Sequence, residues 1–478
     1  MFLKIQDVLS WLFFINAIVS IIIIILERKR PEKTIAWLLV FVVLPPVGLI
    51  LYIFLGRNWK RHKLSEEFSP TVKELIYRVI NRIDNPDYIQ LIQLLGNISD
   101  SPLFVENDIK LFSDGEEKFK YLLDEMAKAK HHIHLEYYIV KDDKIGNKVK
   151  EMLIKKAKEG VRVRFLMDRV GSIKVGRRYI KELKEAGVDV IQYSYFLAPL
   201  LRHINTQINY RNHRKIAIID GRVGFIGGMN IGDEYLGKGK LGYWRDMHIM
   251  IKGDGVLGLQ AVFLDDFWAI KRIDDSSFFY DEEFEKYFPA VGNPRKKVMQ
   301  IIKSGPDSEY PSIMQTMIKM ITMAKKNIYI TTPYFVPTES IMETLKIAAL
   351  SGVKVKILFP GRYDHIMVYY ASRTYLAELM KCGAEVYFYK DDAFVHSKHI
   401  TIDGKIATIG TANMDIRSYE LNYEVNAVIY DEDFTQRLDE IFINDLKESR
   451  KYSVEDYERT PKITRFMEAA ARVFSSLL

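Results

Sequence analysis

Two long apolar runs open the chain, and the remainder alternates between strand-like and helix-like periods. The first run, Val8–Leu26, carries no charged residue. It is about as long as the ~20 residues needed to cross the hydrocarbon layer as a helix. The second, Thr34–Leu55, is interrupted by Pro45, Pro46 and Gly48. Proline removes a backbone donor and clashes with the preceding turn, so this run is expected to break or kink and not to span cleanly. Charged "ERKRPEK" follows the first run where the small residues of a signal-peptide cleavage site would stand, so the run is expected to be retained. Residues 1–60 therefore predict a membrane anchor with two hydrophobic segments. Basic residues Arg28, Lys29, Arg30 and Lys33 lie between the runs, and Lys4, Arg57, Lys60, Arg61 and Lys63 flank them. The slight excess on the flanks places the main body on the cytoplasmic side of the cell membrane.

Residues 61–106 read as a polar, partly helical linker. After it, "HHIHLEYYIV" (131–140), "VRVRFLMD" (161–168) and "VDVIQY" (188–193) have strand character. Between them, "NKVKEMLIKKAKEG" (147–160) and "RRYIKELKEAG" (177–187) are amphipathic helices. Strands alternating with helices predict an α/β fold on a largely parallel sheet. The order then repeats. "KKNIYITTPYFV" (325–336), "SGVKVKILFP" (351–360) and "YLAELMKCGAEVYFY" (375–389) answer the earlier segments in turn. That period far exceeds the roughly 20–50 residues of solenoid repeats, so it marks a duplicated domain. Two similar lobes are expected, at 107–295 and 296–450, with a C-terminal tail at 451–478.

Composition adds little to this. The 478 residues are 48% hydrophobic and 27% charged, as in globular proteins. The net charge of +7 is mild and would suit nucleic acid, an anionic membrane or a phosphate substrate. Cys382 is the only cysteine, which excludes an intramolecular disulfide and fits a small buried hydrophobe.

Chemistry enters with a motif written twice. "NHRKIAIIDGRVGFIGGMN" (212–230) and "VHSKHITIDGKIATIGTAN" (395–413) share His, Lys and Asp at the same offsets. His213–Ile219 reads as a strand that ends in an Asp220-Gly221 turn, and the second copy turns at Asp403-Gly404. Two-residue periodicity puts His213 and Lys215 on one face, and likewise His396 and Lys398. Lysine supplies charge for a phosphate, and histidine a nucleophilic or proton-transferring nitrogen. Asp220 and Asp403 complete the candidate catalytic motifs but lie at odd offsets, and are read as turn or lobe-packing residues. Asn230 and Asn413 follow at matching positions. Asp246 in "YWRDMHIMI" and Glu424 in "NYEVNAVIY" could each accept from one imidazole nitrogen and leave the other free. Facing lobes would bring two histidines to one phosphate, one attacking phosphorus and the other protonating the leaving oxygen. Lys215, Lys398, Asn230 and Asn413 would hold the charge on the non-bridging oxygens. No metal or other cofactor is needed. "HHIH" (131–134) is read as structural, and no nucleotide fingerprint is present.

These paired motifs resemble the phospholipase D superfamily, whose hallmark is two H-x-K-x₄-D sequences at one active site. Within it, "RNHRKIAIIDGRVGFIGGMNIGDEY" and "HSKHITIDGKIATIGTANMDIRSYELNYEVN" are similar to the bacterial cardiolipin synthase family. The resemblance covers essentially the whole chain, including both N-terminal apolar runs. It implies transfer of a phosphatidyl group from one phosphatidylglycerol to another, with release of glycerol. It implies His213 as nucleophile and His396 as general acid, oriented by Asp246 and Glu424 in that order, with Asn230 and Asn413 beside the phosphate. The expected partners are phospholipid and membrane, not nucleic acid, since neither motif sits among the aromatic residues that stack bases. Oligomeric state stays open. A hydrolytic phospholipase D would share every catalytic residue. A membrane-tethered nuclease and a non-catalytic scaffold are the more distant alternatives.

The tail "PKITRFMEAAARVFSSLL" (461–478) sets Ile463, Phe466, Met467, Ala470, Val473, Phe474 and Leu477 at helical spacing, flanked by Lys462, Arg465 and Arg472. This predicts either an interfacial helix on anionic lipid or a helix that closes the body's own core.

Overall fold

A computed structural model of the chain describes residues 88–193, 210–274, 284–290 and 295–475, together with parts of 11–52. Most of the first hydrophobic run, residues 61–87 of the linker and Leu477 lie outside the described residues. In the second run a helix covers Pro31–Val43 and stops just short of Pro45, as its proline pair predicts. Its Phe41 packs with Trp37 and Tyr52. Among the described residues no helix is long and apolar enough to cross a membrane.

The body begins with β1 (Phe104–Phe112), α1 (Gly115–Lys128), β2 (His132–Tyr137), α2 (Lys144–Lys158), β3 (Arg162–Asp168), α3 (Arg177–Glu185) and β4 (Asp189–Tyr193). Then come β5 (Arg211–Asn212), β6 (Lys215–Ile219), β7 (Val223–Gly227), β8 (Tyr243–Arg245), β9 (His248–Gly253) and α4 (Gly255–Asp274). The second half runs β10 (Lys297–Ser304), α5 (Ser312–Met323), β11 (Asn327–Thr331), β12 (Phe335–Val336), α6 (Glu339–Leu350), β13 (Lys354–Phe359), α7 (Ile366–Met380) and β14 (Glu385–Tyr389). It finishes with β15 (Ala393–Val395), β16 (His399–Ile402), β17 (Ile406–Gly410), β18 (Met414–Asp415), β19 (Asn422–Ile429), α8 (Glu432–Lys447), β20 (Ser449–Tyr452) and α9 (Lys462–Phe474).

Local chemistry sets these boundaries. Asp114, Asp143 and Asp431 each cap a helix by accepting an N–H three residues on, from Glu117, Gly146 and Phe434. Along α2 the four-residue spacing of Ile145, Val149 and Leu153 buries one stripe and leaves Lys144, Lys148, Lys155 and Lys158 at the solvent. The motif turns form as the Asp-Gly pairs predict. Asp220 and Gly221 take φ of 53° and 63°, and Asp403 and Gly404 take 55° and 67°. This is the left-handed pair that a tight hairpin needs.

One continuous sheet carries both halves, in the order β20-β14-β13-β11-β16-β17-β19-β10-β1-β9-β7-β6-β2-β3-β4, with β5 paired to β19. Read outward from the antiparallel β10–β1 seam, the two halves repeat each other strand for strand as far as β14 and β4, and β20 adds an antiparallel edge strand to the second half alone. The expectation of a largely parallel sheet is corrected here. Only β2-β3-β4 and β11-β13-β14 run parallel along that path. The motif hairpins β6–β7 and β16–β17 are antiparallel, because a turn this short can only reverse the chain. The fold is therefore mixed α/β, with one α/β unit repeated. Each half has its own hydrophobic core. One is built around Phe165, Leu135 and Phe225, the other around Ile357, Phe359 and Ile330.

Candidate active site

The two motif histidines sit where the halves exchange short strands. β5, which leads into His213, pairs with Asn422–Tyr423 of β19, just before Glu424. β15, which leads into His396, pairs with β8, just before Asp246. The exchange is repeated in the backbone, where His213 N donates to Tyr423 O at 3.0 Å and His396 N donates to Arg245 O at 2.8 Å. Each histidine is thereby delivered to the carboxylate of the opposite half. His213 Nδ1 donates to Glu424 Oε1 and Oε2 at 2.9 and 3.0 Å. His396 Nδ1 lies 2.7 Å from Asp246 Oδ2.

This corrects the pairing implied by the resemblance, which ran Asp246 to His213 and Glu424 to His396. Sequence order suggested partners within a half, but the swapped strands cross them. With each Nδ1 committed to a carboxylate, Nε2 is the nitrogen left for chemistry. The strands also start later than the periodicity predicts, at Lys215 and His399. His213 and His396 thus stand in the extended stretches leading into the hairpins.

Burial governs the electrostatics. It pulls His213 down to about 4 despite the carboxylate of Glu424, and it holds His396 well below its ordinary value. Both rings are therefore neutral at pH 7. Burial also lowers Lys215 to about 7 and Lys398 to about 8, so a phosphate arriving between them would secure both protons. Lys215 Nζ and Lys398 Nζ donate to the main-chain oxygens of His213 and His396 respectively. The two carboxylates part company. Burial pushes Asp246 up to about 7. Burial would raise Glu424 too, but His213 and Lys215 hold it below the usual range.

Asp220 and Asp403 do not join this cluster. They lie at the far ends of their strands, where Asp220 accepts from the backbone N–H groups of Lys130, His131 and His132 at 2.8, 2.8 and 2.9 Å. Asp403 repeats this with Lys325, Lys326 and Asn327 at 2.8, 2.7 and 2.9 Å. Each pins a motif hairpin to the neighbouring strand, in keeping with a packing role. Asn230 accepts from Ile139 N at 3.1 Å and donates to Tyr235 Oη at 2.9 Å. Asn413 is held through its main-chain N–H by Ser418 Oγ at 3.1 Å. Its buried Oδ1 has no hydrogen-bond partner among the described residues.

Several neighbours escaped the sequence reading. Thr411 Oγ1 donates to Glu424 Oε2 at 2.6 Å. At the matching place in the first half stands Gly228, where a Cβ would fall 2.1 Å from Asp246 Oδ1. Aligning "GGMN" with "GTAN" would have revealed this difference. Tyr138 sets its ring edge against His213 at 4.8 Å. Arg214 donates to Glu424 O at 3.2 Å and pairs with Asp266, which ties the strand next to His213 to β19. The "HHIH" histidines serve the sheet–helix interface. Gln260 of α4 bridges His132 and His134 at 3.1 and 2.9 Å. Among the described residues no group of His, Cys, Asp and Glu could hold a metal ion.

Known proteins carry the same organisation. A family model described as "Cardiolipin synthase, PLD-like domain" matches residues 122–256 and 317–446, and one described as "Phospholipase_D-nuclease N-terminal" matches residues 10–57. The major cardiolipin synthase of Bacillus subtilis (strain 168) is 41% identical over 100% of both chains. The cardiolipin synthase of Halalkalibacterium halodurans is 42% identical over 98% of this chain and 93% of its own. Among solved structures, phosphatidylserine synthase from Haemophilus influenzae Rd KW20 covers 81% of this chain and 100% of its own. It has a TM-score of 0.62 at 15% identity, and so shares the fold. With matching family models over both repeats and full-length relatives at this identity, the chain belongs to the cardiolipin synthase family of phospholipase D-like proteins.

Proposed function

We propose that the chain synthesises cardiolipin from two molecules of phosphatidylglycerol. The observation that carries this reading is the crossed pair of histidine–carboxylate contacts with a buried lysine beside each. In the first step His213 Nε2 attacks phosphorus, the bond from phosphorus to the glycerol headgroup oxygen breaks, and His396 Nε2 passes to that oxygen a proton held by the His396–Asp246 pair, whose carboxyl is raised to about 7. Glycerol leaves and a phosphatidyl-histidine remains. In the second step His396 takes the proton from the terminal hydroxyl of another phosphatidylglycerol, whose oxygen attacks phosphorus as the P–N bond breaks. Lys215, Lys398, Asn230 and Asn413 stabilise the charge on the non-bridging oxygens in both steps. The ionised Glu424 beside His213 suits the nucleophile. An Asp246 that titrates near neutrality suits the histidine that shuttles a proton. Asp246 and Glu424 orient the rings, and Asp220 and Asp403 support the motifs from a distance.

The two apolar runs and the family match over residues 10–57 support a membrane anchor in residues 1–60. The lobes would then occupy 107–295 and 296–450, on the cytoplasmic face by the distribution of basic residues. The test is product analysis of purified full-length protein in vesicles of pure phosphatidylglycerol. Cardiolipin and free glycerol in equal amounts are expected. Phosphatidic acid as the main product would instead mark a hydrolase, in which water takes the place of the lipid hydroxyl.

A further inference from the structure

Helix α9 is built inside out. Its buried positions are Glu468 and Ala471, with Ser475 at its C-terminal end. Glu468 pairs with Arg373 of α7 at 2.9 Å, Arg472 with Glu378 at 2.7 Å, and Ser475 shares a hydrogen bond with Tyr375 at 3.2 Å. Ala471 fits against Val336 and Ala371. The apolar stripe points the other way, with Ile463, Phe466 and Val473 exposed by 70%, 67% and 73%, and Met467 and Phe474 by about half. At about 100° per residue these positions share an arc of about 120°. The tail therefore does not close the core with its apolar face.

Two observations point to what covers that face. The first is charge. Glu468 is the only acidic residue of α9 and is consumed by Arg373, so its solvent-facing charge is positive, from Lys462 and Arg465, while Arg472 is paired with Glu378. Apolar side chains edged by cations match an anionic lipid surface and not a basic or neutral one. The second is position. α9 packs on α7, and the segment entering α7 reaches the rim of the histidine site. Tyr334 donates to Asp364, two residues before α7 begins, and Asp364 is close enough to Lys398 to favour its charged form. Tyr363 and Ile366 on that rim are themselves about half exposed.

We infer that α9 lies in the headgroup region of an anionic bilayer, with Ile463, Phe466, Met467, Val473 and Phe474 inserted. This contact would seat the Tyr363–Ile366 rim of the two-histidine site at the lipid surface. An interfacial helix of this type sinks about 5–10 Å into the headgroup boundary. A lipid phosphate could then reach the site without its chains leaving the bilayer. The choice of partner rests on the lipid reading of the site; the outward apolar arc does not.

The experiment uses the full-length chain in vesicles of phosphatidylglycerol and phosphatidylcholine. Phe466→Cys and Val473→Cys are made separately in a Cys382→Ser background and labelled with bimane, with Lys405→Cys as the water-exposed control. Quenching by lipid-borne nitroxide is expected to be severalfold stronger at both helix positions than at the control, and to fall when phosphatidylcholine replaces phosphatidylglycerol. Quenching equal to the control overturns the inference. So does a label shielded from both lipid-borne and aqueous quenchers, which would mean that protein, a second copy or another segment, covers the face. Quenching that ignores the lipid headgroup overturns the role given to the cations. Cardiolipin formation is measured on the same vesicles. Synthesis without lipid contact defeats the docking alone, and contact without synthesis defeats the reading of the site.

Discussion

His213 gives its Nδ1 to Glu424, whose second oxygen is steadied by Thr411, whereas Nδ1 of His396 is a crossroads. Asp246 Oδ2 lies 2.7 Å from it, Lys398 Nζ 2.9 Å and Tyr235 Oη 3.4 Å. Both halves descend from the same H-x-K-x₄-D hairpin and share backbone, turn and strand exchange. They differ in what surrounds the carboxylate. Beside Glu424 a threonine donates a hydrogen bond to the charged form, which favours ionisation. Beside Asp246 the matching residue is Gly228, which supplies space and no donor, and burial raises the carboxyl. A duplicated framework thus holds two different proton affinities a short distance apart. A two-step displacement needs this, because one histidine must stay bare to attack while the other trades a proton.

The largest effect should come from removing either ring. His213→Ala and His396→Ala are each expected to cut cardiolipin formation by about 10³-fold or more with the melting temperature nearly unchanged. Appreciable turnover in either variant would mean that one half suffices.

Next come the carboxylates, where pH separates the halves. Asp246 is raised to about 7, so its ionised form prevails only above that value and takes up a proton as pH falls through it. The kcat/KM profile should therefore drop on the alkaline side of an inflection near 7, as the His396–Asp246 pair loses the proton it gives to the leaving oxygen. Glu424→Gln, expected to lose about 10²-fold, should retain that inflection, and Asp246→Asn should flatten it. The reverse pattern would reassign the proton-trading pair.

Smaller effects test the Gly228–Thr411 difference. In Gly228→Ala the new Cβ meets Asp246 Oδ1, so the carboxylate must shift and turnover should fall about 10-fold. Thr411→Val deletes one hydrogen bond to a charged group, worth about 1.5–3 kcal/mol at most, and should cost somewhat less, through kcat and not KM. Equal tolerance at both positions would show that the asymmetry is incidental.

The smallest effect on chemistry should follow from Asp220→Asn and Asp403→Asn. Each weakens a carboxylate that gathers three backbone N–H groups, so stability should fall by about 1–3 kcal/mol in denaturant titrations. Turnover per folded molecule should hold within a few-fold, and a loss as deep as that of a histidine variant would place these aspartates in the reaction.

Much of this was legible along the chain. The duplication, the Asp-Gly turns, the strand–helix alternation and the pairing of histidine with lysine all rest on local rules: side-chain periodicity, left-handed turn residues and repeated spacing. These properties need only neighbours in sequence. The mixed direction of the sheet, the crossing of Glu424 to His213 and of Asp246 to His396, and the outward face of α9 were not legible. Each depends on which distant segment lies alongside. β5 pairs with β19 and β15 with β8 because the halves join at the β10–β1 seam, and no pattern within either copy encodes that exchange. The pKa of Asp246 follows from burial by both halves together. The sequence determined which groups could do chemistry and that there were two sets of them. Tertiary structure decided which carboxylate serves which histidine, because hydrogen bonds a few ångströms long depend on strand partners rather than on order in the chain.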